Sequence, residues 1–312
     1  MKTSEKLYLA FSQTDAFLSG EDLAHELGIS RTSVWKGIQS LEKQGIQFES
    51  VRNKGHRLVA GDLLVPSWIE EHSPVKVRLI KHSRSTQGDA KQAAQEGHEG
   101  DCLYLAPSQD SAVGRFGRPF FTQTNGGIYM TLHLKVALKP DELPAYTIRT
   151  VSVLHQAIEE LTGLITSIKW VNDLYFQGKK IAGILTEASG SIETGLITDL
   201  FIGLGLNFNI NKFPSELEER AGSLFNQDRP PIDRNQLIAR IWTLFYEAQQ
   251  GNLLQRYRKH SLVLGHQVSF QQNQISYQGL AKEITDDGQL LVETETGQIL
   301  SLQSGEISLS DW

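Results

Sequence analysis

From Val75 onward the chain keeps changing its apolar period, and that alternation narrows the choice of fold more than any other feature. Short strand-like runs at 77–80, 103–106 and 128–134 are separated by stretches of helical spacing at 87–95 and 146–161. Further strand-like runs follow at 167–170, 174–176, 180–187 and 200–207. Strands interleaved with helices bury their apolar faces by layering helices on a sheet, so an α/β or α+β layer architecture is expected. The helix at 87–95 is Ala-rich, with a cap expected at Ser85 or Thr86.

The first sixty residues follow a different rule. Ser19 opens a short helix carrying Leu23, Ala24 and Leu27, and Gly28 supplies a left-handed turn position. Ser30 caps a second helix, from Arg31 to about Gln44, with Val34, Ile38 and Leu41 on one stripe. Residues 46–51 and 56–59 alternate like two strands around the basic turn Arg52-Asn53-Lys54-Gly55. A helix-turn-helix followed by a hairpin is a winged helix, used for DNA or for protein contacts. Read for DNA, Arg31, Thr32, Ser33 and Lys36 reach bases or phosphates, while Arg52 and Lys54 track phosphate.

Charge favours the DNA reading. The net charge is −6, yet residues 1–60 carry eight Lys/Arg against seven Asp/Glu. Between 30 and 57 six basic residues face two acidic ones. The 39% hydrophobic content fills proper cores, which excludes wholesale disorder. A single cysteine, Cys102, makes neither an internal disulfide nor a cysteine zinc cluster. The start lacks a signal-peptide apolar run, and no stretch approaches the roughly 20 apolar residues of a membrane span. A cytoplasmic protein without membrane contact is expected. Residues 61–74, with Pro66 and Pro74, read as a linker with a short helix at 67–72.

Three stretches carry chemistry. The first, Gln109 to Phe120, holds Gly114, Arg115, Gly117 and Arg118, and no acidic residue occurs from Ser111 through Pro140. Glycines and forked guanidinium donors suit a polyanion such as ATP; read alone, the stretch is a flexible surface loop before it is an anion site. It is neither a Walker A nor a Rossmann fingerprint. The second is Lys169-Trp170-Val171-Asn172-Asp173-Leu174-Tyr175, followed by Lys179-Lys180-Ile181-Ala182-Gly183. It reads as a site of amide, carboxylate and ammonium groups, or as an ordinary hairpin with an Asn-Asp turn. The third, Gly203-Leu204-Gly205-Leu206-Asn207, leaves room for a ligand or for close backbone packing. His82, His133 and His155 lack an i, i+4 or carboxylate pairing that suggests a metal cage, so they read as structural and no metal site is expected.

In this order, behind a winged helix and ahead of a terminal Gly305-Glu306-Ile307-Ser308, these stretches resemble the biotin protein ligases of the bifunctional type, also called biotin operon repressors. Lipoate ligases share that catalytic fold, but a winged helix with Lys-Trp-x-Asn-Asp-Leu-Tyr points to biotin. The resemblance implies an α/β (α+β) catalytic domain on a mixed sheet, between a winged helix-turn-helix and a small SH3-like β barrel. The expected boundaries are 1–62, a linker at 63–74, 75–264 and 265–312. Strand-like runs at 267–270, 275–280, 290–294 and 298–302, with turns at Asp287-Gly288 and Thr296-Gly297, agree with a barrel.

The resemblance also implies a chemistry. ATP, with Mg²⁺ on the nucleotide, and biotin would give biotinyl-5′-adenylate, and a lysine of a biotin carboxyl carrier domain would then take the biotinyl group. Repression of biotin genes at operator DNA, through a ligand-linked homodimer, completes the expectation. The alternative is a DNA-binding biotin sensor with weak or no ligase turnover. Arg115, Lys180, Asp173 and Lys169 are the implied catalytic residues. Biotin contacts are implied from Ser85, Thr86, Gln87, Gln109, Val113, Gly114, Arg115, Lys180, Gly183, Leu185 and Gly203. ATP contacts are implied from Arg115, Arg118, Phe120, Lys169, Asn172 and Asn207. The chain departs from the family pattern at Ala112-Val113 (Gly-Arg), Gln87 (Asn), Phe120 (often Trp) and Val171 (Pro). The first departure removes one cationic donor from the loop.

Overall fold

In the computed structural model, residues 1–98, 100–272, 275–303 and 307–309 are described. The chain opens with a helix that sequence reasoning did not anticipate, α1 (Thr3–Ser12), followed by α2 (Gly20–Glu26) and α3 (Arg31–Glu42). Ser30 Oγ accepts from Ser33 N, so the anticipated cap forms, and Ser19, where the first helix was expected to open, caps it by accepting from Asp22 N. Gly28 takes φ +62° between the two helices. The stripe Val34, Ile38 and Leu41 packs against Leu7, Tyr8 and Phe11 of α1. A Cβ at Gly37 would lie 2.3 Å from Leu7 Cδ1, so glycine there is what lets α1 and α3 approach. Strands β1 (Gln47–Val51) and β2 (Gly55–Ala60) form the antiparallel wing. Leu18 bridges its second strand at His56.

The stretch expected as linker is firmly held. Leu64 and Val65 are buried, and α4 spans Pro66–Glu71. Val65 N donates to Asn235 Oδ1 at 2.7 Å, and Asn235 Nδ2 donates to Leu63 O at 2.8 Å. Asp62 accepts from the backbone N and from Nε of the fully buried Arg234, whose Nη1 also reaches Gly127 O at 3.0 Å. Arg229 donates to Ser12 O and Thr14 O just beyond α1, and to Leu58 O in the wing. Helix-end carbonyls need such donors, so Arg229 and Arg234 tie the winged helix to the body of the protein.

The central sheet has seven strands: β3 (Lys76–Leu79), β4 (Cys102–Ala106), β5 (Gly127–Leu138), β6 (Ser167–Lys169), β7 (Asp173–Phe176), β8 (Lys179–Gly190) and β9 (Ile197–Asn207), with α5 (Thr86–Gln95) and α6 (Leu143–Thr162) in the connections. Their order is β3-β4-β5-β9-β8-β7-β6. Only β3 and β4 pair in parallel, so the sheet is mixed, as the resemblance implied. Residues alternate faces along β5. Ile128, Met130, Leu132 and Leu134 join the main core with α6, while Thr131 and His133 face the α5 side.

Two further helices that the sequence reading left unassigned, α7 (Arg234–Glu247) and α8 (Gln250–Lys259), complete the helical layer over that core. Five antiparallel strands follow: β10 (Gln267–Gln272), β11 (Ile275–Ile284), β12 (Leu290–Thr294), β13 (Ile299–Leu302) and β14 (Ile307–Leu309). Gly288 and Gly297 stand at φ +81° and +80° in the two anticipated turns. The first turn is seated on the central domain, where Trp170 Nε1 donates to Gly288 O at 3.0 Å. Of the terminal Gly-Glu-Ile-Ser, Gly305 and Glu306 lie outside the described residues; Ile307 and Ser308 belong to β14.

Two histidines differ from expectation. His133 Nε2 meets Asp199 Oδ1 at 2.7 Å, and His155 Nε2 lies 3.7 Å from Glu159 Oε2 at i, i+4. Carboxylate partners therefore exist, because strand pairing brings Asp199 beside β5 and helix periodicity brings Glu159 beside His155. Among the described residues no group of three His, Cys, Asp or Glu side chains is placed to hold a metal ion.

Candidate active site

One cavity gathers the three chemical stretches against five strands of the central sheet and one strand of the C-terminal unit. Its floor starts at α5. Ser85 caps that helix, with Gly88 N donating to Ser85 Oγ at 3.4 Å. Thr86 N donates to Gln109 Oε1 at 2.6 Å, joining the helix start to the Gly-Arg loop. Below them Thr86 Oγ1 meets Thr131 Oγ1 at 2.9 Å, and Thr131 donates to Gln87 Oε1 at 3.0 Å. Gln87 Nε2 donates to Phe201 O at 3.2 Å. This hydroxyl–amide chain is buried and mutually satisfied. A Cβ at Gly203 would stand 2.6 Å from Gln87 Oε1, so glycine leaves the amide its place.

The opposite wall is the hairpin of β6, β7 and β8. Asp173 pairs in register with Gly183, and a bulge follows at Leu174/Tyr175. Lys180 Nζ reaches Asp173 Oδ1 at 2.7 Å. A Cβ at Gly183 would lie 3.4 Å from Lys180 Nζ and 3.5 Å from Asp173 Oδ1, so the ion pair sits directly over a bare backbone. Asn172 is clamped on both of its side-chain atoms. Its Nδ2 donates to Ile184 O at 2.9 Å, and its Oδ1 accepts from Arg115 Nη1 at 3.1 Å. The Trp170–Val171 peptide is cis, and Tyr257 Oη donates to Val171 O at 3.1 Å.

The Gly-Arg stretch closes over the cavity as a tight turn. Gly114 N donates to Arg118 O at 2.8 Å and Phe120 N to Ala112 O at 2.9 Å, around left-handed Phe116 (φ +59°) and Gly117 (φ +70°). Arg115 lies over the Phe116 ring, its Cζ 5.1 Å from the centroid. Phe120 rests on Gly205, where a Cβ would come within 2.8 Å of the ring. Lys169 Nζ stands 5.9 Å from the Tyr175 ring centroid. Among the described residues the lining thus presents Arg115, Arg118, Lys169 and Lys180 against one carboxylate, Asp173. Such a wall holds an anion and stabilises negative charge developing on it.

Of the residues expected at the site, all but one line this cavity. The exception is Asn207, which does not; it is buried, and its Nδ2 donates to Gly222 O at 2.9 Å. The strand direction carries it past the cavity to a loop contact. Sequence reasoning missed Thr131, a small hydroxyl residue between the apolar Met130 and Leu132 of β5, and Ile307, which β14 brings in from the far end of the chain. The polar residue breaking the β5 pattern was a readable signal; nothing local marked Ile307.

The second surface is the exposed side of α3 together with the wing turn. Arg31, Thr32 and Lys36 are exposed at the start of α3, and Arg52 and Lys54 at the wing turn. Ser33 is half-buried and bonds Ser30 Oγ. Arg31 approaches Glu21 at 3.6 Å, a pair three-quarters exposed and free to exchange for phosphate.

Known proteins match both surfaces. The chain matches the family model of an HTH domain over residues 3–57, of the biotin/lipoate A/B protein ligase family over 79–207, and of the biotin protein ligase C-terminal domain over 263–310. It is 33% identical over 315 residues to the bifunctional ligase/repressor BirA of Bacillus subtilis, covering 96% of each chain. It is 26% identical over 310 residues to the protein of that name from Escherichia coli, covering 96% of this chain and 95% of that one. Among solved structures, the biotin protein ligase from Aquifex aeolicus in complex with biotin and ATP shares 29% identity at a TM-score of 0.60, over 75% of this chain and 97% of that one. The chain belongs to the bifunctional ligase/repressor family of biotin protein ligases.

Proposed function

We propose that the cavity joins biotin to ATP and that the winged helix makes the same protein a repressor of biotin genes at operator DNA. In the first half-reaction a biotin carboxylate oxygen attacks the α-phosphorus and pyrophosphate leaves, giving biotinyl-5′-adenylate. In the second, the amine of a carrier-domain lysine attacks the acyl carbon and AMP leaves. The acceptor is a biotin carboxyl carrier domain of a biotin-dependent carboxylase.

The observation that carries this reading is the pairing of a cationic wall with a buried hydroxyl–amide floor in one cavity. Ser85, Thr86, Gln87 and Gln109 suit the polar ureido ring and carboxylate of biotin, with Val113, Gly114, Gly183, Leu185 and Gly203 shaping the space around it. Lys180 and Arg115 stabilise charge on the α-phosphate, with Lys169 and Arg118 on the remaining phosphates. Asn172 and Phe120 take adenine by hydrogen bond and ring face. Asp173, released from Lys180 as the phosphates bind, accepts the proton of the incoming lysine. Among the described residues Asp173 is the one carboxylate lining the cavity, and Mg²⁺ is assigned to the nucleotide oxygens.

Residues 1–62 then form the DNA-reading domain, 63–74 the link, 75–264 the catalytic domain and 265–312 the unit that closes the cavity through Ile307. Adenylate favours a DNA-competent homodimer in this scheme, and DNA must reciprocally tighten the ligand. The reaction is assigned to the cytoplasm; among the described residues no helix is long and apolar enough to cross a membrane. Mass spectrometry after incubation with biotin, MgATP and a carrier domain tests the ligase, which predicts a biotinylated carrier lysine. An unmodified carrier beside a retained adenylate would leave a sensor and overturn the transferase. A gel shift on the chain's own upstream DNA, with and without ligand, tests repression. Sedimentation under the same two conditions tests the dimer.

A further inference from the structure

Trp35 is an exception to the rule that large apolar side chains are buried. It is 56% exposed in the second turn of α3, while its neighbours Val34, Gly37, Ile38 and Leu41 supply that helix's whole buried stripe. An indole is among the largest apolar side chains, and the part of it left in water contributes no burial free energy. Its stabilisation comes on docking.

What docks is set by the charge around it. Arg31 precedes Trp35 by one helical turn and Lys36 follows it, both exposed, with Thr32 between them in the outward sector. The first turn of α3 holds no acidic residue. The wing turn adds Arg52 and Lys54, also exposed. A tryptophan set among cations fits a polyanion with apolar surface inside its groove, and duplex DNA has that in the thymine C5-methyl groups of the major groove.

We propose that Trp35 is a DNA-contacting residue whose indole lies against thymine methyl groups, the apolar half of a readout whose polar half is Arg31, Thr32 and Lys36. This rests on the reading of the winged helix as a DNA binder. It separates two roles on one helix face: cations set affinity through the phosphates, and the indole selects thymine.

The test uses the full-length protein with biotin and MgATP. Its own upstream DNA is amplified once with dTTP and once with dUTP, which deletes every thymine methyl group. Lys36→Ala should lower the slope of log affinity against log salt by about one. Trp35→Ala should weaken binding about tenfold with the slope unchanged, because an apolar contact releases no counterion. Replacing thymine by uracil should weaken the wild type by about fourfold for each methyl group contacted. The same replacement should leave Trp35→Ala unchanged. Trp35→Phe, which keeps a ring, should retain part of the methyl dependence.

Trp35→Ala binding as tightly as wild type overturns the proposal. A loss of equal size on thymine and uracil DNA also overturns it, since the indole would then lie on deoxyribose. A Trp35→Ala protein that sediments differently from wild type assigns the indole to a second copy of the chain instead. Wild type that biotinylates the carrier but binds no upstream DNA removes the DNA reading itself, and the proposal with it.

Discussion

The winged helix and the cavity hold their functional residues in opposite ways. The DNA-reading residues lie between Arg31 and Lys54, on one helix and one turn, and point outward. The cavity residues run from Ser85 to Ile307 and meet only because the sheet and a strand of the C-terminal unit bring them together. On the exposed surface side-chain identity decides function, and the backbone needs only to form a capped helix. In the cavity the backbone decides as much: Gly183, Gly203 and Gly205 each leave space that a Cβ would fill. A surface reader should therefore tolerate substitution residue by residue. A cavity assembled from register should not.

The largest separation of the two regions is expected from Lys180→Ala. Removing a cation aimed at developing charge should slow adenylate formation by about 100-fold or more, read as pyrophosphate release. The affinity of the ligand-free protein for upstream DNA should stay as in wild type. Near-normal adenylation would take Lys180 out of the reacting atoms, and lost DNA affinity would mean that the regions are not separable.

Acid should break the central region first. His155 is fully buried and bonded at Nδ1 to Thr166 Oγ1, with its ring centroid 4.1 Å from that of the tilted His260 ring. Burial first, then the positive charge of His260 and Arg256, pushes its imidazole from 6.5 down to about 4. Between those values the unfolded chain binds the proton and the folded chain does not, so stability falls as pH drops through that window. The full loss is about 3 kcal/mol. Glu159 is held below the usual carboxylate range by Arg256, which adds loss of the same sign in acid. Hydrogen exchange near pH 5 should open α6 and α8 before α2 and α3, and His155→Gln should flatten the urea midpoint between pH 7 and 5. Earlier opening of α2 and α3 would contradict the assignment.

Gly205→Ala probes the backbone requirement. Its Cβ would displace the Phe120 ring, so nucleotide affinity should drop about tenfold, with biotin affinity and thermal midpoint nearly unchanged. Calorimetric titration of each ligand distinguishes this from a collapsed cavity, which would lose both. The smallest effect is expected at Val113, which lines the cavity and is 48% exposed. Val113→Arg restores the cationic donor that the loop lacks and should slow adenylate release by up to about tenfold. A stopped-flow off-rate identical to wild type would place the side chain away from the ligand.

What the amino-acid order determined by itself was local. The helix opening at Ser19, the Ser30 cap, the left-handed Gly28, the Asp287-Gly288 turn and the α3 stripe depend on contacts within a few residues and formed as read, while of the two candidates for the α5 cap Ser85 takes the place. The winged helix was legible for that reason, except α1, which covers the α3 stripe and carries contacts to the body of the protein. The cavity's residue types were legible as motifs through their resemblance to a family; their arrangement was not. Only tertiary structure set Asp173 opposite Gly183 and Lys180 on Asp173. It also joined Thr131 to the α5 floor, turned Asn207 to Gly222, and buried Arg234 against Asp62. Strand register, bulges and domain seating are settled by burial and hydrogen bonding across the sheet and between units, from the Asp173–Lys180 pair of one hairpin to the distant Asp62–Arg234 pair. No local window of sequence contains that free energy.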